Sequence, residues 1–172
     1  MKPPWGQGRY KQYELAEDID LYRPGGFHPV HLNDVLHGRY EVFGRLGSGG
    51  FATVWLAKDR LIGRWCSLKI LTAEASNPCE ELVIVKRLQN AKGGPGREFL
   101  VRVWDEFVVR GPNGTHQCFV SELLGASVAL AKEAGLPKSA AKAIAAQVAS
   151  GLAYLHEHQI IHGGERVQEQ QE

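Results

Sequence analysis

The stretch of this 172-residue sequence with the clearest chemistry is Leu46-Gly47-Ser48-Gly49-Gly50-Phe51-Ala52-Thr53-Val54. Glycines at this spacing let a turn of backbone approach a phosphate and donate N–H groups to its oxygens with no side chain in the way. Val54 then returns an apolar side chain that can lie over a flat base. Lys69 supplies a compact cation of the kind that holds two phosphates. Glu81 supplies the carboxylate that such a cation needs when both turn inward. A glycine hairpin that needs only positive φ would look the same by itself, and Glu80 with Glu81 would also suit a helix N-terminus. The ordered set is what points to a nucleotide. Two other phosphate loops fail. No GxxxxGK[ST] run stands before a helix, and the residues after the glycines, FATVWLA, open a strand and not a dinucleotide-binding helix.

The elements that must position these residues can be read from pattern. Tyr40 to Leu46, Phe51 to Ala57 and Arg64 to Leu71 are three consecutive strand candidates, rich in β-branched and aromatic residues and joined by short turns. A helix follows, with Asn77 as its cap, Pro78 in its first turn and Glu80 as a capping-box acid. Glu81, Val85 and Leu88 share one face of it at i, i+4, i+7 spacing. It is expected to end near Ala91, before Gly93-Gly94-Pro95-Gly96. Leu100 to Arg110 and Gln117 to Glu122 are two further strands, joined across Gly111-Pro112-Asn113-Gly114. Asn113-Gly114-Thr115 has the form of a glycosylation sequon, but it reads better as this hairpin turn. The chain turns helical after Gly125. An Ala-rich helix is expected from Lys138 to His158, with Ile144, Val148, Gly151, Leu152 and Leu155 on its apolar stripe. Residues 1–36 are broken by Pro3-Pro4, Pro24-Gly25-Gly26 and Pro29 and read as an irregular arm.

Composition narrows the field. The chain is 44% apolar and 23% charged with a formal net charge of +1, which gives no global field toward nucleic acid or an acidic membrane. No apolar run approaches the roughly 20 residues that span a bilayer, and the first twenty residues lack the apolar core of a signal peptide. Cys66, Cys79 and Cys118 are odd in number and form no CxxC pair, so they read as reduced, buried side chains in a cytoplasmic or nuclear setting.

The ordered set resembles the N-terminal lobe of eukaryotic protein kinases from about Leu36 to Gly163. Residues 22–30 (YRPGGFHPV), 37–40 (HGRY), 51–59 (FATVWLAKD), 113–116 (NGTH), 122–125 (ELLG), 151–156 (GLAYLH) and 160–163 (IIHG) are similar to the SR-protein kinases, which phosphorylate Arg/Ser-rich splicing factors. The resemblance implies an α+β fold: a five-stranded antiparallel sheet with one packed helix, then the first helices of a truncated second lobe. It divides the chain into an extension at 1–36, the nucleotide lobe at 37–125, a following segment at 126–163 and a polar tail at 164–172. ATP, used with Mg²⁺ in this family, is the implied ligand. Leu46 to Val54 would cover it, Lys69 would hold its phosphates with Glu81 holding Lys69, Ser67 would roof the adenine, Ser121 would be the gatekeeper, and Glu122 to Leu124 would be the hinge. Arg/Ser-rich proteins are the implied substrates, with no direct nucleic-acid or membrane partner.

The sequence departs from the family pattern in four places. Ala52 stands for the third glycine. Ser67 replaces the usual alanine before the lysine, and Ser121 is small for this branch. After Ile160-Ile161-His162, where the family continues to a catalytic Asp and a metal-binding Asn, this sequence reads Gly163-Gly164-Glu165-Arg166. Asp59 and Asp105 belong to the first lobe, away from that position. No catalytic base and no metal ligand is therefore assigned. The composition switch at residue 164 reads as a truncated or misspliced product, or a reading frame that departs from a kinase locus. The expectation is a chain that binds ATP weakly and transfers no phosphate. The alternatives are a catalytically dead nucleotide- or partner-binding lobe, or a non-functional product. The Lys138–His158 helix is expected to dock poorly, fray or drive self-association.

Overall fold

The computed structural model describes residues 19–125, 128 and 135–161. The three strands read from the Tyr40–Leu71 pattern form an antiparallel meander. β2 (Tyr40–Gly49), β3 (Ala52–Asp59) and β4 (Arg64–Leu71) lie side by side. Gly63, at φ 70°, closes the β3–β4 turn, its N–H donating to the Asp59 carbonyl at 2.8 Å. β5 (Val103–Gly111) and β6 (Gly114–Ser121) form the hairpin, with Pro112 and Asn113 in its turn and Gly114 at φ 134°. β6 then pairs with β4, matching Ser67 with Ser121 and Lys69 with Phe119.

The sheet has six strands, in the order β1-β2-β3-β4-β6-β5. The additional strand is β1 (Val35–Leu36), which pairs with Tyr40 and Glu41 across a turn through His37 and Gly38. Two residues are too few to show alternation, so the sequence pattern gave five. One face of the sheet carries the core: Tyr40, Val42, Trp55, Ala57, Cys66, Leu68, Ile70, Phe107, Cys118 and Val120. Burial pushes the Cys66 thiol up to about 11 and the Cys118 thiol up to about 12. Both are therefore protonated packing groups.

Residues 25–34 of the irregular arm are bonded to the sheet and its turns. Tyr22 meets Phe27 edge-on, and Phe27 is 1% exposed. A polar cluster ties the same unit together away from the site. Arg39 grips Asp59 through two donors, Nε to Oδ1 at 2.9 Å and Nη2 to Oδ2 at 2.7 Å, and reaches Asp105 through Nη1 at 3.2 Å. The Tyr40 hydroxyl donates to the same Asp105 oxygen at 2.5 Å.

The chain divides into two compact units, residues 1–80 with 103–123 and residues 81–102 with 124–172. Among its described residues the second contains α1 (Glu80–Asn90, whose first residue falls in the first unit) and α2 (Lys138–Glu157). On α1, Val85 is buried while Glu81 and Leu88 are partly covered, which is the face the spacing predicts. The helix starts later than the sequence reading has it. α1 begins at Glu80, three residues past Asn77, so Asn77 is not its cap, Pro78 is not in its first turn, and Glu80 is its first residue and not a capping-box acid.

α2 packs on the turn Arg97–Phe99 within its own unit. Gly151 lies against Leu100 and Phe99, and the Tyr154 hydroxyl donates to the Lys92 carbonyl at 2.9 Å. The carboxyl-terminal half of α2 is seated through Gly151, Tyr154 and Leu155, while Val148 is 55% exposed. Among the described residues no helix is long and apolar enough to cross a membrane.

Candidate nucleotide site

Strand alternation sorts the candidate residues by face. Antiparallel partners share a face, so the register Gly47↔Val54↔Lys69↔Phe119 is one row across β2, β3, β4 and β6. The next row is Leu56↔Ser67↔Ser121. Both rows lie opposite the core, whose members Trp55, Leu68 and Val120 occupy the alternate positions. The fold thus brings Gly47, Val54, Lys69, Ser67 and Ser121 onto one surface. They come from four strands and from sequence positions as far apart as 47 and 121.

The glycine turn closes one end of this surface. Gly47 and Gly49 are the last paired residues of β2 before the Gly50–Phe51 turn. None of Gly47, Gly49 and Gly50 has a φ in the left-handed region, and a Cβ built on any of them meets nothing within 4 Å. Neither backbone strain nor internal packing explains three glycines here. Their bare backbone leaves open space beside the Val54–Lys69 row, as a phosphate cradle requires. Leu46 is 48% exposed and Phe51 is 76% exposed, so both flank the turn with little cover. Arg45 donates from Nη2 to Ser48 Oγ at 2.8 Å, which ties the strand to the turn.

Other candidates are placed less directly. Thr53 is fully buried on the core side, where its hydroxyl accepts the Trp55 indole N–H at 3.0 Å. Only its backbone is available to the turn. Ala52 is 7% exposed and pairs with Gly49 and Leu71, and alternation puts its methyl on the same face as Val54. Ser121 Oγ donates to the Glu122 carbonyl at 3.4 Å, and Leu124 is 61% exposed. Lys69 stands on β4 in the first unit, and Glu81 stands on the first turn of α1 in the second. His162 to Arg166 lie outside the described residues.

Two residues of these rows escaped the sequence reading, Leu56 and Phe119, the second of them covered at 2% exposure. The signal was present in each case. Leu56 is two places after Val54, and Phe119 is two places before Ser121, so period-two alternation puts them on the same face.

A model of the protein kinase domain matches residues 40–163. SRSF protein kinase 3 of Homo sapiens is 37% identical over 151 residues, which is 83% of this chain and 27% of that protein. Protein kinase dsk1 of Schizosaccharomyces pombe is 38% identical over 159 residues, 87% of this chain and 29% of that protein. Serine/threonine-protein kinase spk-1 of Caenorhabditis elegans is 35% identical over 152 residues, 84% of this chain and 15% of that protein. The chain thus spans less than a third of the length of these relatives. With the glycine turn, the strand lysine and the antiparallel sheet as the N-terminal part of the kinase domain, the chain belongs to the protein kinase family, on the branch of the SRSF protein kinases.

Proposed function

We propose that the open sheet face binds ATP and that the protein to which these residues belong is a serine/threonine kinase acting on Arg/Ser-rich proteins in the cytoplasm or nucleus. The observation that carries the nucleotide reading is the glycine turn. Three glycines whose conformation and packing do not require glycine stand beside a row holding Val54 and Lys69. The backbone N–H groups of the turn would donate to phosphate oxygens, and Lys69 would neutralise them. Val54 and Leu56 would cover the apolar base, with Ser67 adding a polar atom to that roof. The hinge role of Glu122 to Leu124 and the gatekeeper role of Ser121 belong to the same proposal, as does the Lys69–Glu81 pair. Mg²⁺, which accompanies ATP throughout this family, would screen phosphate charge, and no residue of this chain is assigned as its ligand.

A second reading rests on the sequence after His162. Gly163-Gly164-Glu165 occupies the place where the family pattern calls for a catalytic Asp. We propose that the chain as given binds ATP without transferring its phosphate. The test uses the full chain with Mg²⁺ and labelled ATP. Amide shifts are expected at Gly47, Gly49, Gly50, Val54 and Lys69 on titration, with Lys69→Ala weakening binding roughly tenfold or more, the scale of one charge-assisted contact. An Arg/Ser repeat peptide should gain no label above the Lys69→Ala background. Shifts confined to residues off this face would overturn the site, and labelling above background would overturn the second reading.

A further inference from the structure

The segment Pro24–His28 is fastened to two places in the first unit. The Gly25 N–H donates to the Asn113 carbonyl at 2.8 Å, and Asn113 Nδ2 donates to the Phe27 carbonyl at 2.6 Å. The Ala73 and Glu74 N–H groups donate to the carbonyls of Gly26 and Gly25 at 3.0 and 2.8 Å. The segment therefore bridges the β5–β6 turn and the stretch that follows β4. Two glycines are required by this seat. A Cβ on Gly26 would stand 1.9 Å from the Leu21 carbonyl oxygen, and one on Gly111 would stand 2.4 Å from His28 Nδ1.

At the centre of the seat two imidazoles meet. His28 is 8% exposed and His116 is fully buried, with ring centroids 4.9 Å apart and planes at 51°. His116 Nδ1 lies 2.9 Å from the Leu71 carbonyl, which can only accept, so Nδ1 carries the proton and Nε2 is bare. Neither His116 Nε2 nor His28 Nδ1 has a hydrogen-bond partner among the described residues.

We propose that this imidazole pair is a proton-operated latch: while both rings are neutral the Pro24–His28 strap is seated, and protonation releases it from the β5–β6 turn and from Ala73–Glu74. A proton added to His116 would go to Nε2, where no acceptor stands, and a second on His28 would set two like charges side by side in a buried space. Burial holds both histidines below the usual imidazole range; the charge of His116 would lower His28 further, while the hydrogen bond to the Leu71 carbonyl works against the lowering of His116. Asp34 is the opposing influence, favouring a charged His28, but it ranks below burial and His116. The remaining charges around the strap are Arg23 and Glu74, which face each other at 3.5 Å, and Arg110, exposed on the hairpin. None of these offers the buried nitrogens an acceptor. The latch stands independently of the nucleotide reading, since none of its residues lies on the glycine turn or the Lys69 row.

The sign follows from linkage. A group held below its free value of 6.5 disfavours the seated state as pH falls through 6.5, because the released state takes up the proton first. Between pH 7.5 and 5.5 each imidazole can raise the released population up to roughly tenfold. The test is amide hydrogen exchange on the full chain at the two pH values, corrected for intrinsic rates. Protection at Gly25, Ala73 and Glu74 should fall about tenfold where one ring is protonated on release and up to roughly a hundredfold where both are. Protection at Arg60, bonded to the Arg39 carbonyl, and at Gly63, bonded in the β3–β4 turn, should hold. In His28→Gln/His116→Asn the strap amides should lose their pH dependence, the asparagine amide keeping a donor for Leu71. Should that variant fail to fold, ¹⁵N titration of the native imidazoles decides. Two rings titrating at the ordinary value, or an unchanged pH response in the double variant, would overturn the latch.

Discussion

Single residues govern the chain's response to acid. Asp59 is 4% exposed and accepts two donors from Arg39, which holds its carboxyl below its ordinary value of 3.8. A depressed carboxyl contributes stability above that ordinary value, and the contribution is lost as pH falls through it toward the folded-state value. Asp59→Asn removes the charge and leaves the Arg39 guanidinium, itself partly exposed, with one carboxylate fewer. It should cost about 1–3 kcal/mol at neutral pH, measured as a lower urea midpoint at unchanged m-value. It should also flatten the stability loss below pH 4. An unchanged midpoint would show that solvent already screens the pair. Nothing in the sequence announced this cluster. Arg39, Tyr40, Asp59 and Asp105 share no period, and only the strand register brings them together. Lys69, Val54 and Gly47 were legible because each carries its chemistry in its residue type.

At the scale of elements, legibility followed period length. The long strands and both helices repeat their burial often enough to be read, whereas β1 does not. Tyr154, missing from the sequence-derived stripe of α2, is fully buried and anchors the helix to Lys92. Its polar hydroxyl and its place one residue before Leu155 hid it from an aliphatic count. The seat of α2 depends on Gly96, at φ 91°, where a Cβ would stand 2.1 Å from the Ser150 carbonyl oxygen. Backbone cannot yield as a flexible side chain can. Gly96→Ala should therefore cost about 1–3 kcal/mol and raise amide exchange across residues 150–158. Gly93→Ala is the matched control, since a Cβ there meets nothing within 4 Å. Equal effects of the two substitutions would mean that loop entropy, and not the contact with α2, sets the response.

The behaviour of the whole molecule turns on how far one sheet face suffices for a nucleotide. On the proposed reading the face would supply phosphate donors, a lysine and an apolar roof, but Leu46 and Phe51 are substantially exposed beside it. Tight small-molecule sites bury most of their ligand, and a half-enclosed base forgoes much of that apolar contact. ATP should thus bind the chain as given with a dissociation constant on the order of 1 mM. Ligand that binds only the folded state stabilises it by RT ln(1 + [L]/Kd), which is about 0.4 kcal/mol at 1 mM ATP and about 1.4 kcal/mol at 10 mM. For a chain of this length that corresponds to a Tm increase of roughly 1–2 °C at the lower concentration and 3–6 °C at the higher. Lys69→Ala should remove most of the increase. Micromolar affinity would instead give about 4 kcal/mol at 1 mM, a shift near 10 °C or above. A shift of that size would mean that the base is enclosed by more of this chain than the sheet face alone.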